Sequence, residues 1–290
     1  MNIVSFVDVL VVLVPLLYAA LVAVYAISFF GNKPVVERFK TSLLLATVAC
    51  HLLYIGLRTV AFDHPPITTV FEIMTMLAAC ISVAYTYIEL RTKASLPAED
   101  SGRAASQAGN TGLFILLLAF IFQTVSSINI KGLTEIAPIL RSRLLGFHVT
   151  TALLGYTAIS LSAVYGFLYL MLYREIKSSS FGLIYSRLPN LEMLEKMSSK
   201  SEIFGFAMLT VAISIGLIWL PRAFENFSYF DPKLIGTMTV WILYAISLAA
   251  KKSLGWQGRK MMIVSLIAFG FVFLSMTVIN LYMSGFHSFY

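Results

Sequence analysis

The sequence predicts an all-α polytopic membrane bundle of about eight transmembrane helices, with both termini on the non-cytoplasmic side. Three observations carry that reading. Apolar residues make up 59% of the 290 positions and charged residues only 12%, with a mean hydropathy of +0.85, whereas a soluble domain carries about 25% charged residues. Apolar runs of spanning length recur along the whole chain, and the Lys and Arg residues concentrate in alternate connections between them.

A spanning helix needs about 20 predominantly apolar residues. The candidates are 6–30, 41–62, 67–90, 112–130, 144–173, 202–220, 235–250 and 261–284, so that 1–290 reads as one integral membrane domain. The first run is too long for a signal-peptide core and lacks a basic leader, which predicts that it is retained as a helix. Val9–Asn32 and Met261–Gly285 contain no Asp, Glu, Lys or Arg. The second run carries His51 and Arg58, and the third Glu72 and Glu89. Ionisable groups are costly in a membrane and are expected to face the bundle interior or a polar cavity. The seventh run is short and is expected to extend into its flanks.

Orientation follows from cation placement. Of the 21 Lys and Arg residues, 15 lie in the segments after helices 1, 3, 5 and 7, five in the opposite set, and Arg58 near the end of the second run on that opposite side. The first set is therefore cytoplasmic. Within it, residues 95–110 are small and polar, with the composition of a disordered loop. Residues 187–200 place Leu188, Leu191, Leu194 and Met197 at i+3 steps, which predicts a short amphipathic helix on the inner leaflet.

The net charge of +7 reflects this topology rather than a nucleic-acid-binding face, and no nucleic-acid partner is expected; the partner read directly from composition is the lipid bilayer. Cys50 and Cys80 lie inside apolar runs without metal or redox spacing and read as packing residues. The chain has no P-loop, HExxH, GxSxG or helix-opening GxGxxG motif.

Three of the four histidines fall on the outer side: His64 after helix 2, His148 near the outer end of helix 5, and His287 just past helix 8. The aromatic loop 221–234 emerges on the same side, with Phe224, Phe227, Tyr229 and Phe230 ahead of Asp231-Pro232. Two neutral imidazoles across an aromatic floor can ligate a haem iron axially, and an Arg or Lys can pair its propionates. Histidines and aromatic rings also settle at membrane interfaces for purely amphipathic reasons. His51, in mid-helix, is open to three readings: a ligand, a proton-path residue or a hydrogen-bonded structural group.

These residues resemble the CcsA/HemX-type cytochrome c assembly family over most of the chain after residue 45. His51 to Arg58 (HLLYIGLR) resembles the family's His…Leu-Arg pattern and leads into HPPITTVFE at His64–Glu72. LLGFHVTTALLGY, at Leu144–Tyr156, is similar to its HVxxxxLGY helix. Trp219, Ala223, Asp231, Pro232 and Lys233 stand in register with its tryptophan-rich loop, and Trp241 and Tyr244 with the helix beyond. Phe224, Ser228 and Phe230 replace loop tryptophans, and Ala249 stands where haem-transporting members often carry histidine. Val278–Leu281 through Gly285–Ser288 resembles the closing VNL…GLHS.

The resemblance implies a haem-handling membrane protein of cytochrome c biogenesis. Haem b would be the cofactor, with His148 and His287 as axial ligands of its iron. Trp219, Phe224, Phe227, Phe230 and Asp231 would line the site, and His51 is a further candidate. As part of a haem lyase (cytochrome c synthase) complex, the chain would present reduced haem to an apocytochrome c CxxCH motif, beside a ResB-like membrane partner. The alternative is a HemX-like regulatory or scaffold protein affecting haem biosynthesis without attaching haem. A small-molecule transporter is a third reading, but neither broken helices nor repeated halves are evident. The expected location is a bacterial-type inner (plasma) membrane, with an organellar membrane as the other setting.

Overall fold

The structure, a computed structural model of the chain, describes residues 2–31, 34–95, 110–132, 142–223 and 228–275. Among these residues every regular element is helical: α1 Ile3–Gly31, α2 Pro34–Phe62, α3 Val70–Ser95, α4 Gly112–Asn129, α5 Arg143–Lys177, α6 Leu183–Arg187, α7 Leu191–Ala223, α8 Pro232–Ser253 and α9 Arg259–Leu274. All but the short α6 and the 16-residue α9 are long and apolar enough to cross a membrane, which makes seven spans. The chain is a polytopic all-α membrane bundle. The eighth predicted run, 261–284, begins as α9 and continues beyond the described residues.

The chain divides into two compact units. The first comprises Met1–Pro66, Phe71–Thr134 and Met171–Leu191, and the second Ile67–Val70, Glu135–Leu170 and Glu192–Tyr290.

In the first unit α1 packs against α2 and α4. Its inward stripe runs Val7, Leu10, Val14, Tyr18, Leu21, Tyr25 and Phe29 at helical spacing, while Val9, Val12, Leu13 and Leu16 are exposed. Both faces are apolar, as expected where lipid replaces water, and the polar atoms are turned inward to find protein partners. Near the α3 terminus, Glu89 accepts hydrogen bonds from Tyr25 at 2.5 Å, Thr41 at 2.6 Å and Lys93 at 2.9 Å. Toward the other end of α2 and α3, buried Arg58 pairs with buried Glu72 at 2.8 Å and donates to the Lys131 carbonyl at 2.6 Å.

In the second unit α5, α7, α8 and α9 meet around Ile159, Leu209, Val240, Tyr244, Ala268 and Val272. Helices α5 and α7 approach closely at paired glycines. A Cβ on Gly205 would lie 2.7 Å from Ile159 Cγ1 and 3.1 Å from the Gly155 carbonyl oxygen, so glycine there is what lets the two backbones touch. Helices α5 and α9 are neighbours and antiparallel: Ser162 faces Ser265 at 3.3 Å, and Gly166 faces Met262. From Arg259 to Leu274, α9 runs toward the end of α5 that carries His148.

One expectation is corrected. Residues 191–200 are not a separate helix on the inner leaflet but the first turns of α7, which runs unbroken to Ala223. Leu194 and Ser198 are fully buried, Ser198 is bonded to Ser162 at 3.0 Å, and Glu195 accepts the Gly258 backbone N–H at 2.8 Å. The apolar stripe is real, but protein covers it instead of lipid.

Candidate functional site

The fully buried His51, on α2, is held at both ring nitrogens. Nδ1 lies 3.0 Å from Tyr18 Oη of α1, and Nε2 lies 2.9 Å from Thr75 Oγ1 of α3. Thr75 donates to Gln123 Oε1 of α4 at 2.6 Å, and the Gln123 amide donates to Ser127 at 2.9 Å. Because Thr75 spends its proton on Gln123, the nitrogen facing it is the donor, and Nδ1 accepts from Tyr18. The far side of Tyr18 bonds Ser82 at 2.7 Å. Four helices are thus joined through one imidazole with no lone pair to spare. Of the three readings of His51, this geometry is that of the hydrogen-bonded structural group.

His148 is different. It sits in the second turn of α5, half-buried, where its Nδ1–H donates to the Ala212 carbonyl of α7 at 2.8 Å. One turn farther along α7 is Gly216, whose missing side chain makes room for the ring. A Cβ there would lie 3.1 Å from His148 Cε1 and 3.3 Å from Nδ1. The bond to a carbonyl fixes the proton on Nδ1 and leaves the lone pair on Nε2, the usual preparation of a metal-binding histidine. Nε2 has no hydrogen-bond partner among the described residues, and it is not among the buried unpaired atoms. His148 therefore fits the role of an axial ligand. No group of three or more His, Cys, Asp or Glu residues able to hold a metal ion occurs among the described residues, but a haem iron needs only one or two protein ligands.

Of the other expected site residues, Trp219 is half-buried in the last turns of α7. Asp231 is buried and caps α8, its Oδ1 accepting the Lys233 N–H at 2.9 Å with Pro232 in the first turn. Phe230 is 84% exposed. Phe224, Phe227 and His287 lie outside the described residues. His64 is buried in the connection after α2, with Nδ1 3.0 Å from the Pro65 carbonyl oxygen. Farther down α8, Trp241 stacks on Phe206 and donates to Thr210 at 2.9 Å, locking α8 to α7.

Reading the sequence located His148 but missed Ala212 and Gly216. A helical glycine one turn beyond an alanine, 64 positions away from the histidine, has no local signal of that role.

Fold and site together define a class: a polytopic α-helical membrane protein that presents, near a helix end, one oriented imidazole nitrogen without a partner among the described residues. The sequence profile of the cytochrome c assembly protein family matches residues 9–287, and the chain belongs to that family. It is similar to the cytochrome c biogenesis protein CcsA of Parasynechococcus marenigrum (strain WH8102), at 28% identity over 94% of this chain and 92% of that protein. It is also similar to the proteins of the same name from Mesostigma viride (24% identity; 90% of this chain, 89% of that one) and Chlorella vulgaris (25%; 84% and 83%).

Proposed function

We propose that this membrane protein of cytochrome c biogenesis holds haem b near the non-cytoplasmic end of α5, with His148 as one axial ligand and His287 as the other, for delivery to apocytochrome c. The observation that supports this most is the His148 imidazole, fixed through Nδ1 to Ala212, with an Nε2 that has no partner among the described residues. The chain's residues bind and orient; haem supplies the iron and the vinyl groups to which the apocytochrome thiols add. Trp219 and the loop aromatics Phe224, Phe227 and Phe230 would pack against the macrocycle. A ResB-like membrane protein is the expected partner, and both termini are expected on the outer side of a bacterial plasma membrane or of an organellar membrane of the same ancestry.

The test is spectroscopic. Full-length protein purified in mild detergent from haem-replete cells is expected to carry a Soret band with low-spin α and β bands. His148→Ala and His287→Ala are each expected to perturb it, and His64→Ala to leave it intact. A wild-type protein without Soret absorbance removes the haem-site reading.

One observation favours a second reading. The saturation of His51 by Tyr18 and Thr75 leaves no ligand at that depth of α2, which suits a HemX-like protein that influences haem synthesis without passing haem through its core. A clean deletion separates the two. Loss of c-type cytochromes supports the assembly role, whereas normal c-type cytochromes with altered haem levels support the regulatory one.

A further inference from the structure

Among the described residues four acidic side chains are buried: Glu72, Glu89, Glu202 and Asp231. Glu72 pairs with Arg58 at 2.8 Å, Glu89 with Lys93 at 2.9 Å, and Asp231 caps α8. Glu202, in α7, is different. It is 1% exposed, its Oε1 has no hydrogen-bond partner, and no Lys, Arg or His nitrogen lies within 4.0 Å of its carboxyl among the described residues.

Two contacts set the register of α7 against α8, which run antiparallel. Lys251 Nζ donates to Ser199 Oγ at 2.6 Å, and Trp241 Nε1 donates to Thr210 Oγ1 at 2.9 Å. Ser199, Glu202, Phe206 and Thr210 fall at helical spacing on one face of α7, as do Trp241, Tyr244, Ser247 and Lys251 on α8, and Phe206 stacks on Trp241. Between the two fixed ends of this seam Glu202 is level with Ser247, and Tyr244 stands one turn farther from Lys251. Tyr244 Oη and Ser247 Oγ are fully buried and likewise have no hydrogen-bond partner. Three oxygens without partners thus share one stretch of the seam.

A bare carboxylate inside a membrane protein is costly and needs a positive charge to neutralise it. The other helices of this unit bring none to that depth. Residues 144–173 of α5 and 261–274 of α9 contain no Asp, Glu, Lys or Arg. They contribute Ser162, which bonds Ser198 at 3.0 Å and faces Ser265, and the buried Tyr165. On α8 the one cation of the seam is Lys251, half-buried at its end, and its ammonium is engaged by Ser199. A proton is the remaining counter-charge that fits between packed helices, and Tyr244 and Ser247 offer oxygens to accept its hydrogen bond.

We propose that Glu202 is a proton-binding site of the second unit, loaded and unloaded through the Lys251 end of the α7–α8 seam. In the loaded form the carboxyl is neutral and Lys251 rests on Ser199, the arrangement of this structure. On unloading, the carboxyl O–H bond breaks, the proton passes to solvent at that end, and the carboxylate takes the Lys251 ammonium as its counter-ion. Ser199 and Glu202 are neighbours at i, i+3, so one flexible lysine stem serves both positions.

Infrared spectroscopy of the full-length protein in mild detergent at neutral pH, in H2O and in D2O, tests this independently of haem. The wild type is expected to show the C=O band of a protonated carboxyl, shifted down in D2O. Glu202→Gln is expected to lose that band with helicity by circular dichroism unchanged. Should Glu202→Gln fail to fold, Glu202→Asp is expected to move the band. Lys251→Met is expected to keep the band and to retain it to higher pH than the wild type, because the unloaded carboxylate has lost its counter-ion. A wild type without the band, or a band that neither substitution at Glu202 alters, overturns the proposal. A band that appears only in Lys251→Met also overturns it, by revealing a Glu202–Lys251 ion pair. So does a band present in choline chloride and erased by sodium chloride, which assigns the site to an alkali-metal ion.

Discussion

The imidazole of His148 and the carbonyl of Ala212, 64 residues apart in sequence, are joined by a 2.8 Å hydrogen bond that ties the start of α5 to α7. The Ala212 carbonyl also stands one turn before Gly216, the shelf on which the ring rests. The orientation of the outward nitrogen is thus a property of two helices, with the Ala212 carbonyl of α7 fixing the ring carried by α5.

Gly216 is therefore expected to tune the site. Gly216→Ala brings a methyl group to 3.1 Å from His148 Cε1, so the ring must move by a few tenths of an ångström. Haem retention is expected to fall roughly tenfold, the scale of other disturbances to the support of a metal ligand, and Gly216→Val is expected to abolish it. Haem titration beside circular dichroism checks this: a loss of haem without a loss of helix is the expected pair of results.

His51 is expected to govern stability and not haem. His51→Ala strips partners from the buried Tyr18 and Thr75 hydroxyls. Interhelical hydrogen bonds in membranes are worth about 0.6–2 kcal/mol each, so a loss of about 1–3 kcal/mol is expected. Thermal unfolding in detergent measures it, and the Soret band of the surviving protein is expected to be unchanged. A lost Soret band with unaltered stability would make His51 a ligand.

Arg58 and Glu72 form a buried pair with side chains 3% and 0% exposed. Arg58→Met leaves the Glu72 carboxylate uncompensated, with an expected cost of about 3–5 kcal/mol, whereas the double replacement Arg58→Met/Glu72→Met is expected to recover much of that. A double-mutant cycle on unfolding midpoints checks the coupling. Additive single effects would show the pair to be energetically independent.

The cation distribution predicts that Tyr290 lies on the outer side. A reporter active only outside the cytoplasm, fused after Tyr290, is expected to be active, and the same reporter inserted at Ser101 to be silent. Activity at Ser101 alone inverts the topology and moves the proposed haem site to the cytoplasmic face.

Composition by itself determined that this chain spans a membrane many times, because 59% apolar residues in 290 positions cannot be hidden in water. The runs located the helices to within a few residues at most ends, as at 112–130 against α4 at Gly112–Asn129, since hydrocarbon thickness alone sets their length. The motifs around His148 and Asp231 were legible as well, and they pointed to the family before any geometry was available. What the tertiary structure decided is how each helix is rotated. In a soluble helix the apolar stripe marks the inward face, but α1 is apolar on every side, and the chain pattern does not mark Tyr18 and Tyr25 as inward. For the same reason the stripe at Leu188–Met197 could be assigned to lipid when part of it was destined for a protein interior. Only the packed helices could show that His51 has both nitrogens engaged, that His148 has one left over among the described residues, and that Gly216 belongs to its surroundings. Each of these depends on the depth and rotation at which two distant segments meet, and those are set by helix-to-helix contact, not by any window of sequence.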